Sequence, residues 1–160
     1  MKKIILGVAF AFFSFTVSTA QNTAEIIKFG KLESMIKESG EGIKVINFWA
    51  TWCGPCIKEL PYFETAKRTY GDKISVNLIS LDFADQISKV NKFVERKGMT
   101  SNIYLLDEID YNSWIDKVDK SWSGAIPATL LINEETGERK FVESEISEDE
   151  LNTLIRSFID

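Results

Sequence analysis

Cys53 and Cys56, in Trp52-Cys53-Gly54-Pro55-Cys56, are the only two cysteines in the chain, and two residues separate them. Two thiols so close make a poor staple: the chain-entropy model gives a four-residue loop only about 2 kcal/mol, against ~4.7 kcal/mol for a 100-residue loop. A zinc site needs about four Cys, His or carboxylate ligands. The sequence has no second cysteine pair and no histidine, so no metal is expected. Reversible thiol chemistry remains. A thiolate attacks disulfides far better than a thiol does, and a helix N-terminus favours negative charge through its unpaired N–H groups and dipole. Lowering a thiol pKa from ~8.5 to ~7 raises the thiolate fraction at pH 7 from about 3% to about 50%. Cys53 is the expected nucleophile, and Cys56, one turn later and more enclosed, is expected to resolve the mixed disulfide.

The elements that must hold this pair follow from hydropathy. Ile43 to Trp49 is a continuous apolar run, which suits a parallel strand covered on both faces, and Cys53 lies just past its C-terminal end. A helix is expected from Cys53 to Tyr70, kinked at Pro61 where a backbone donor is missing. Before these come a short strand at Ile26-Ile27 and a helix carrying Phe29, Leu32, Met35 and Ile36, ended by Gly40 and Gly42. After them, Ile74 to Leu81 reads as a strand, Asp85 to Lys97 as an amphipathic helix closed by Gly98, Ile103 to Leu106 as a strand and Tyr111 to Lys120 as a helix. Ala128 to Ile132 and Arg139 to Val142 flank a Glu-Glu-Thr-Gly turn, a hairpin pattern. Ser147 and Glu150 form a capping box for a last helix bearing Leu151, Leu154, Ile155 and Phe158. Alternating strands and helices imply an α/β fold with a mostly parallel sheet and an antiparallel edge, with its site at the strand C-termini. Asp82 and Asp85, just past a strand end, read as helix caps. Trp49, Trp114 and Trp122 read as core, with Trp122 close enough to Ile126-Pro127 to line a groove.

At 160 residues the chain suits one domain. Lys2 and Lys3, an apolar stretch from Ile4 to Val17 and Ser18-Thr19-Ala20 have the parts of a secretory signal, so residues 1–20 are expected to be cleaved and 21–160 to fold. The apolar stretch falls short of the ~20 residues of a spanning helix, which makes a retained anchor the minor reading. Without residues 1–20 the chain carries 17 basic and 24 acidic side chains, which argues against nucleic acid as a partner. A periplasmic or otherwise exported location follows, and there a reduced cysteine pair requires an electron donor.

Phe48-Trp49-Ala50-Thr51-Trp52-Cys53-Gly54-Pro55-Cys56, the Pro61 that follows and the distant Ile126-Pro127-Ala128-Thr129 together resemble the thioredoxin superfamily over residues 24–160. The resemblance implies a thioredoxin-like fold whose Pro127 is a cis proline facing the disulfide, with the Ile126 backbone pairing with substrate. It also implies that Trp52 shields the disulfide and contacts substrate, as part of a substrate surface with Gly54 and Pro55. An extra strand and helix between about Phe83 and Lys120, ahead of the cis-proline loop, is similar to the insertion of TlpA/ResA-type exported thiol-disulfide oxidoreductases. Glu59 matches the glutamate this group places near its cysteines to tune thiol acidity, with a solvated surface glutamate as the alternative. Two features depart from the pattern: Asn47 stands where thioredoxin has a buried aspartate, and residues 21–42 look like thioredoxin's own strand and helix rather than the group's N-terminal hairpin.

By this resemblance the chain reduces disulfides of client proteins, apocytochromes of cytochrome c maturation among them, and is regenerated by a membrane-borne thiol reductase. It works as a monomer with no cofactor beyond the Cys53–Cys56 disulfide. The Gly-Pro dipeptide favours reduction: thioredoxin lies near −270 mV and DsbA near −120 mV, a gap of about 7 kcal/mol. A disulfide oxidase or isomerase is the first alternative. Peroxidase chemistry lacks its Pro-x-x-x-Thr-x-x-Cys pattern, since Ile46 and Ala50 occupy those positions. Copper handling or a scaffold role on the same fold is a further alternative, disfavoured by the lack of histidine.

Overall fold

The computed structural model describes residues 22–159; the signal segment expected at residues 1–20 lies outside them. Six strands form one sheet: β1 (Glu25–Ile27), β2 (Ile43–Trp49), β3 (Ile74–Ser80), β4 (Asn102–Leu106), β5 (Ala128–Asn133) and β6 (Arg139–Val142). They lie in the order β1-β4-β3-β2-β5-β6. The first four run parallel, and the β5–β6 hairpin joins antiparallel to β2. Around the sheet pack α1 (Phe29–Lys37), α2 (Gly54–Tyr70), α3 (Ile87–Lys97), the single turn α4 (Ile115–Val118) and α5 (Glu148–Ile159).

Every residue of β2 is buried, and its side chains alternate between two cores. Ile43, Val45 and Trp49 face the helices α2, α3 and α5, where Phe63, Phe93, Val94 and Ile155 close the layer. Ile46 and Phe48 face α1 and the α4 region, meeting Leu32, Met35, Trp114 and Trp122. Burying side chains of this size contributes about 1.5–3 kcal/mol each, so the central strand is anchored from both sides. The inserted α3 and β4 enter the sheet between β3 and β1, which separates those two strands.

The turns follow local chemistry. At Gly98 the chain adopts the left-handed conformation (φ 60°), and its N–H and that of Met99 satisfy the last carbonyls of α3. Gly42 (φ 88°) passes so close to the Lys73 carbonyl that a Cβ would stand 2.5 Å from its oxygen. The capping box of α5 is complete: the Glu150 N–H donates to Ser147 Oγ at 3.3 Å, and the Ser147 N–H donates to Glu150 Oε2 at 2.8 Å.

One predicted helix needs correction. Tyr111 to Lys120 is not one helix but a 3₁₀ turn at Tyr111–Ser113 followed by the short α4. Trp114 breaks it with an irregular backbone (φ −136°) that carries its ring into the core against Phe29, Phe48 and Trp122. At the other end Asp119 turns extended, and its carboxylate accepts the Ser121 N–H and hydroxyl. Trp122 belongs to the core, as expected, rather than to a groove: it is 3% exposed, packs 4.5 Å from Phe48 and donates its indole N–H to the Ala125 carbonyl at 2.8 Å.

Candidate active site

Cys53 follows the end of β2 by four residues and is the N-cap of α2, with Pro55 in the first turn, where a missing N–H costs nothing. Cys53 and Cys56 are joined in a disulfide with Cα atoms 5.3 Å apart. Cys53 Sγ accepts the Cys56 N–H at 3.3 Å, one of the amide groups a helix start leaves unpaired. The two sulfurs differ in access: Cys53 is 5% exposed and Cys56 is fully buried. Around Cys53 the surface is built from Trp52, 62% exposed, with Gly54 and Pro55 also exposed. Pro61 sits inside α2, which continues through it to Tyr70.

The loop before β5 closes on the disulfide. Ile126 O lies 3.8 Å from Cys53 Sγ, and the Ile126–Pro127 peptide is cis. Ile126 is half-buried and Pro127 buried. The position 73 residues away in sequence therefore forms the other wall of the site.

On α2, three residues after Cys56, Glu59 is completely buried. Its Oε1 accepts a hydrogen bond from Asn47 Nδ2 at 2.8 Å, and its Oε2 accepts the Ile146 N–H at 2.8 Å. Asn47 Nδ2 also donates to Thr129 Oγ1 at 3.0 Å, so one network ties β2, α2, β5 and the approach to α5. Burial pushes the Glu59 carboxyl up to about 7, despite the opposing hydrogen bonds from Ile146 and Asn47. A carboxyl with that value exchanges a proton near neutral pH. The solvated surface alternative for Glu59 is thus excluded, and position 47, which bears no carboxylate of its own, is hydrogen-bonded to one.

Asp82 was not legible as part of this neighbourhood. It caps no helix: the turn at Ala84–Gln86 and α3 start without side-chain caps, and Asp85 is exposed. Asp82 is 2% exposed, accepts the Thr51 N–H and the Ser80 hydroxyl at 2.8 Å each, and pairs with the Thr51 hydroxyl at 2.5 Å. The reason is strand register: Trp49 pairs with Ser80 across β2 and β3, so Thr51 and Asp82, each two residues further on, emerge side by side. An aspartate two residues past a strand whose neighbour carries the cysteines was the available signal. Among the described residues no group of three or more metal-ligating side chains occurs, and no helix is long and apolar enough to cross a membrane.

A disulfide-bonded cysteine pair at a helix start, faced by a cis proline on a mixed sheet, defines a thioredoxin-like protein. The chain belongs to the Redoxin family, whose model matches residues 19–155. It is similar to thiol-disulfide oxidoreductase ResA of Geobacillus thermodenitrificans, 26% identical over 129 residues that cover 80% of this chain and 69% of the relative. The chain spans 69%, 63% and 47% of the length of three curated relatives it matches. Among solved structures, a thioredoxin-related protein from Neisseria meningitidis serogroup B superposes with a TM-score of 0.64 at 22% identity, covering 75% of this chain and 87% of that one. A secreted Mycobacterium tuberculosis disulfide oxidoreductase homologous to DsbE gives 0.57 at 21%, covering 72% and 81%. At these identities the structural matches establish the fold.

Proposed function

We propose that this protein is an exported oxidoreductase that reduces disulfides in other proteins through Cys53 and Cys56. The observation that carries the proposal is the placement of Cys53 Sγ, at the start of α2 and 3.8 Å from the Ile126 carbonyl of the cis-proline loop. In the reduced protein the Cys53 thiolate attacks one sulfur of a client disulfide; the client S–S bond breaks and its other sulfur leaves as a thiolate. The Cys56 thiolate then attacks Cys53 Sγ, which forms the intramolecular disulfide and releases the second client sulfur as a thiolate. Two electrons pass to the client, whose thiolates take protons from the medium, and a membrane-borne dithiol donor restores the pair.

The remaining groups have supporting roles. Trp52, Gly54, Pro55, Ile126 and Pro127 form the surface that a client segment meets, with the Ile126 backbone in position to pair with an extended chain. Glu59 holds or releases a proton below the pair, and its ionisation disfavours a second negative charge on the cysteines. No cofactor other than the disulfide enters this scheme. Export is supported by the signal-like composition of residues 1–20 and by the similarity to a protein described as secreted.

Insulin reduction tests the reading. Cys53→Ser abolishes turnover, and Cys56→Ser accumulates mixed disulfides visible on non-reducing gels. Retained turnover in Cys53→Ser would overturn the assignment.

A further inference from the structure

A groove of about 720 Å³ lies between the start of α2 and the inserted α3. Thr51 and Ile57, which flank the cysteines in sequence, line it together with Phe93 and Arg96. Its α3 wall is basic. Lys89, Lys92 and Arg96 occupy helix positions i, i+3 and i+7, so they share one face, and all three are exposed. The whole chain has a formal charge of −5, which makes this concentration of cations a local exception. None of the three belongs to an ion pair among the described residues. The Arg96 guanidinium lies 5.6 Å from the centre of the Phe93 ring, which holds it over an apolar floor. Asp85 is the one acidic side chain in the lining; Glu95, three residues after Lys92 on α3, is not part of it.

We propose that this groove docks an extended acidic segment of the client protein, next to the disulfide being reduced. The inference rests on the redox function proposed above. Charge complementarity selects the partner: a stripe of unpaired cations beside a reacting sulfur attracts carboxylates and repels basic chains. The dimensions agree with a short peptide. Lys89 to Arg96 spans about 10 Å of helix, the length of about three residues in extended conformation. The apolar Ile57 and Phe93 then meet the segment's backbone and aliphatic atoms, while its carboxylates meet the three cations. Because α3 belongs to the insertion, a protein with the same cysteine site and no insertion lacks this wall.

The test uses the pre-reduced protein in single turnover against two synthetic peptides with the same disulfide, one flanked by Asp-Asp-Glu and the other by Asn-Asn-Gln. The expected second-order rate constant is on the order of tenfold higher for the acidic peptide at low ionic strength, and the preference shrinks as salt is added. In the Lys92→Glu/Arg96→Glu protein the preference reverses. The salt dependence of the unmodified protein decides the matter even if that variant folds poorly. Equal rate constants for the two peptides at low salt would overturn the inference while leaving the redox function in place. Equal rates together with cosedimentation on phosphatidylglycerol vesicles would assign the stripe to a lipid surface and overturn it too. Failure to reduce either peptide would overturn the redox function and this inference with it.

Discussion

Glu59 and Glu64 stand five positions apart on α2, both are inside the protein, and their carboxyl groups are shifted in opposite directions. Burial raises both. For Glu59 burial wins, because two hydrogen bonds, one from the Asn47 amide and one from the Ile146 N–H, are all that meet its charge. For Glu64 burial is outweighed: the Thr100 hydroxyl donates at 2.7 Å, and the Thr100 and Ser101 N–H groups donate at 3.0 Å each, which holds the carboxyl below its usual range. The same residue type on the same helix is held as an anion at one position and pushed toward its protonated form at the other. The number of donors converging on each carboxylate makes that difference.

Removing the anchor should have the larger effect. Glu64→Ala leaves three donors at the Thr100–Ser101 corner without their acceptor and should lower the unfolding free energy by roughly 4 kcal/mol at pH 7. Urea denaturation measures it, and a loss below about 1 kcal/mol would mean that water replaces the carboxylate.

The second test follows the sign of each shift. Glu59 binds its proton more tightly when folded, so the stability it contributes is fully present below the unfolded value near 4.5 and is lost as pH rises through about 7. The loss is at most about 3 kcal/mol. Glu64 acts oppositely: its contribution is present above the unfolded value and disappears as pH falls through the lowered folded one. Urea midpoints of the wild type and Glu59→Gln between pH 4.5 and 8.5 isolate the Glu59 contribution, because that of Glu64 is constant over this range. The wild type should lose stability relative to the variant on the alkaline side; parallel curves would erase the contrast between the two glutamates.

The smallest expected effect is the one closest to the chemistry. Above pH 7 an ionised Glu59 disfavours thiolate at the pair, so Glu59→Gln should move the pH profile of Cys53 alkylation to lower pH. Iodoacetamide rates on the reduced protein read this out. An unchanged profile would confine Glu59 to a structural role.

Much of this was legible in local sequence. The alternation of β2, the left-handed Gly98, the Ser147–Glu150 box and the cysteine pair at a helix start are effects of neighbouring residues, and their periodicities or side-chain chemistry appear within a few positions. Glu59 was identified by its motif but not by its environment, since a glutamate at i+3 from Cys56 reads the same whether its helix face meets water or Asn47. Tyr111 to Lys120 carries a helical pattern that the burial of Trp114 overrides.

By itself the amino-acid sequence determined the cysteine pair, the order of strands and helices, and the family, because each depends on residue types at short, fixed spacing. Only the tertiary structure decided that Asp82 holds Thr51, that Ile126 stands against Cys53, and that a basic face of the insertion shares a groove with Thr51 and Ile57. Those juxtapositions join residues 31 to 73 positions apart, and strand register and the packing of elements around the sheet set them. No local preference encodes such distances; they arise when the chain buries its apolar faces around β2.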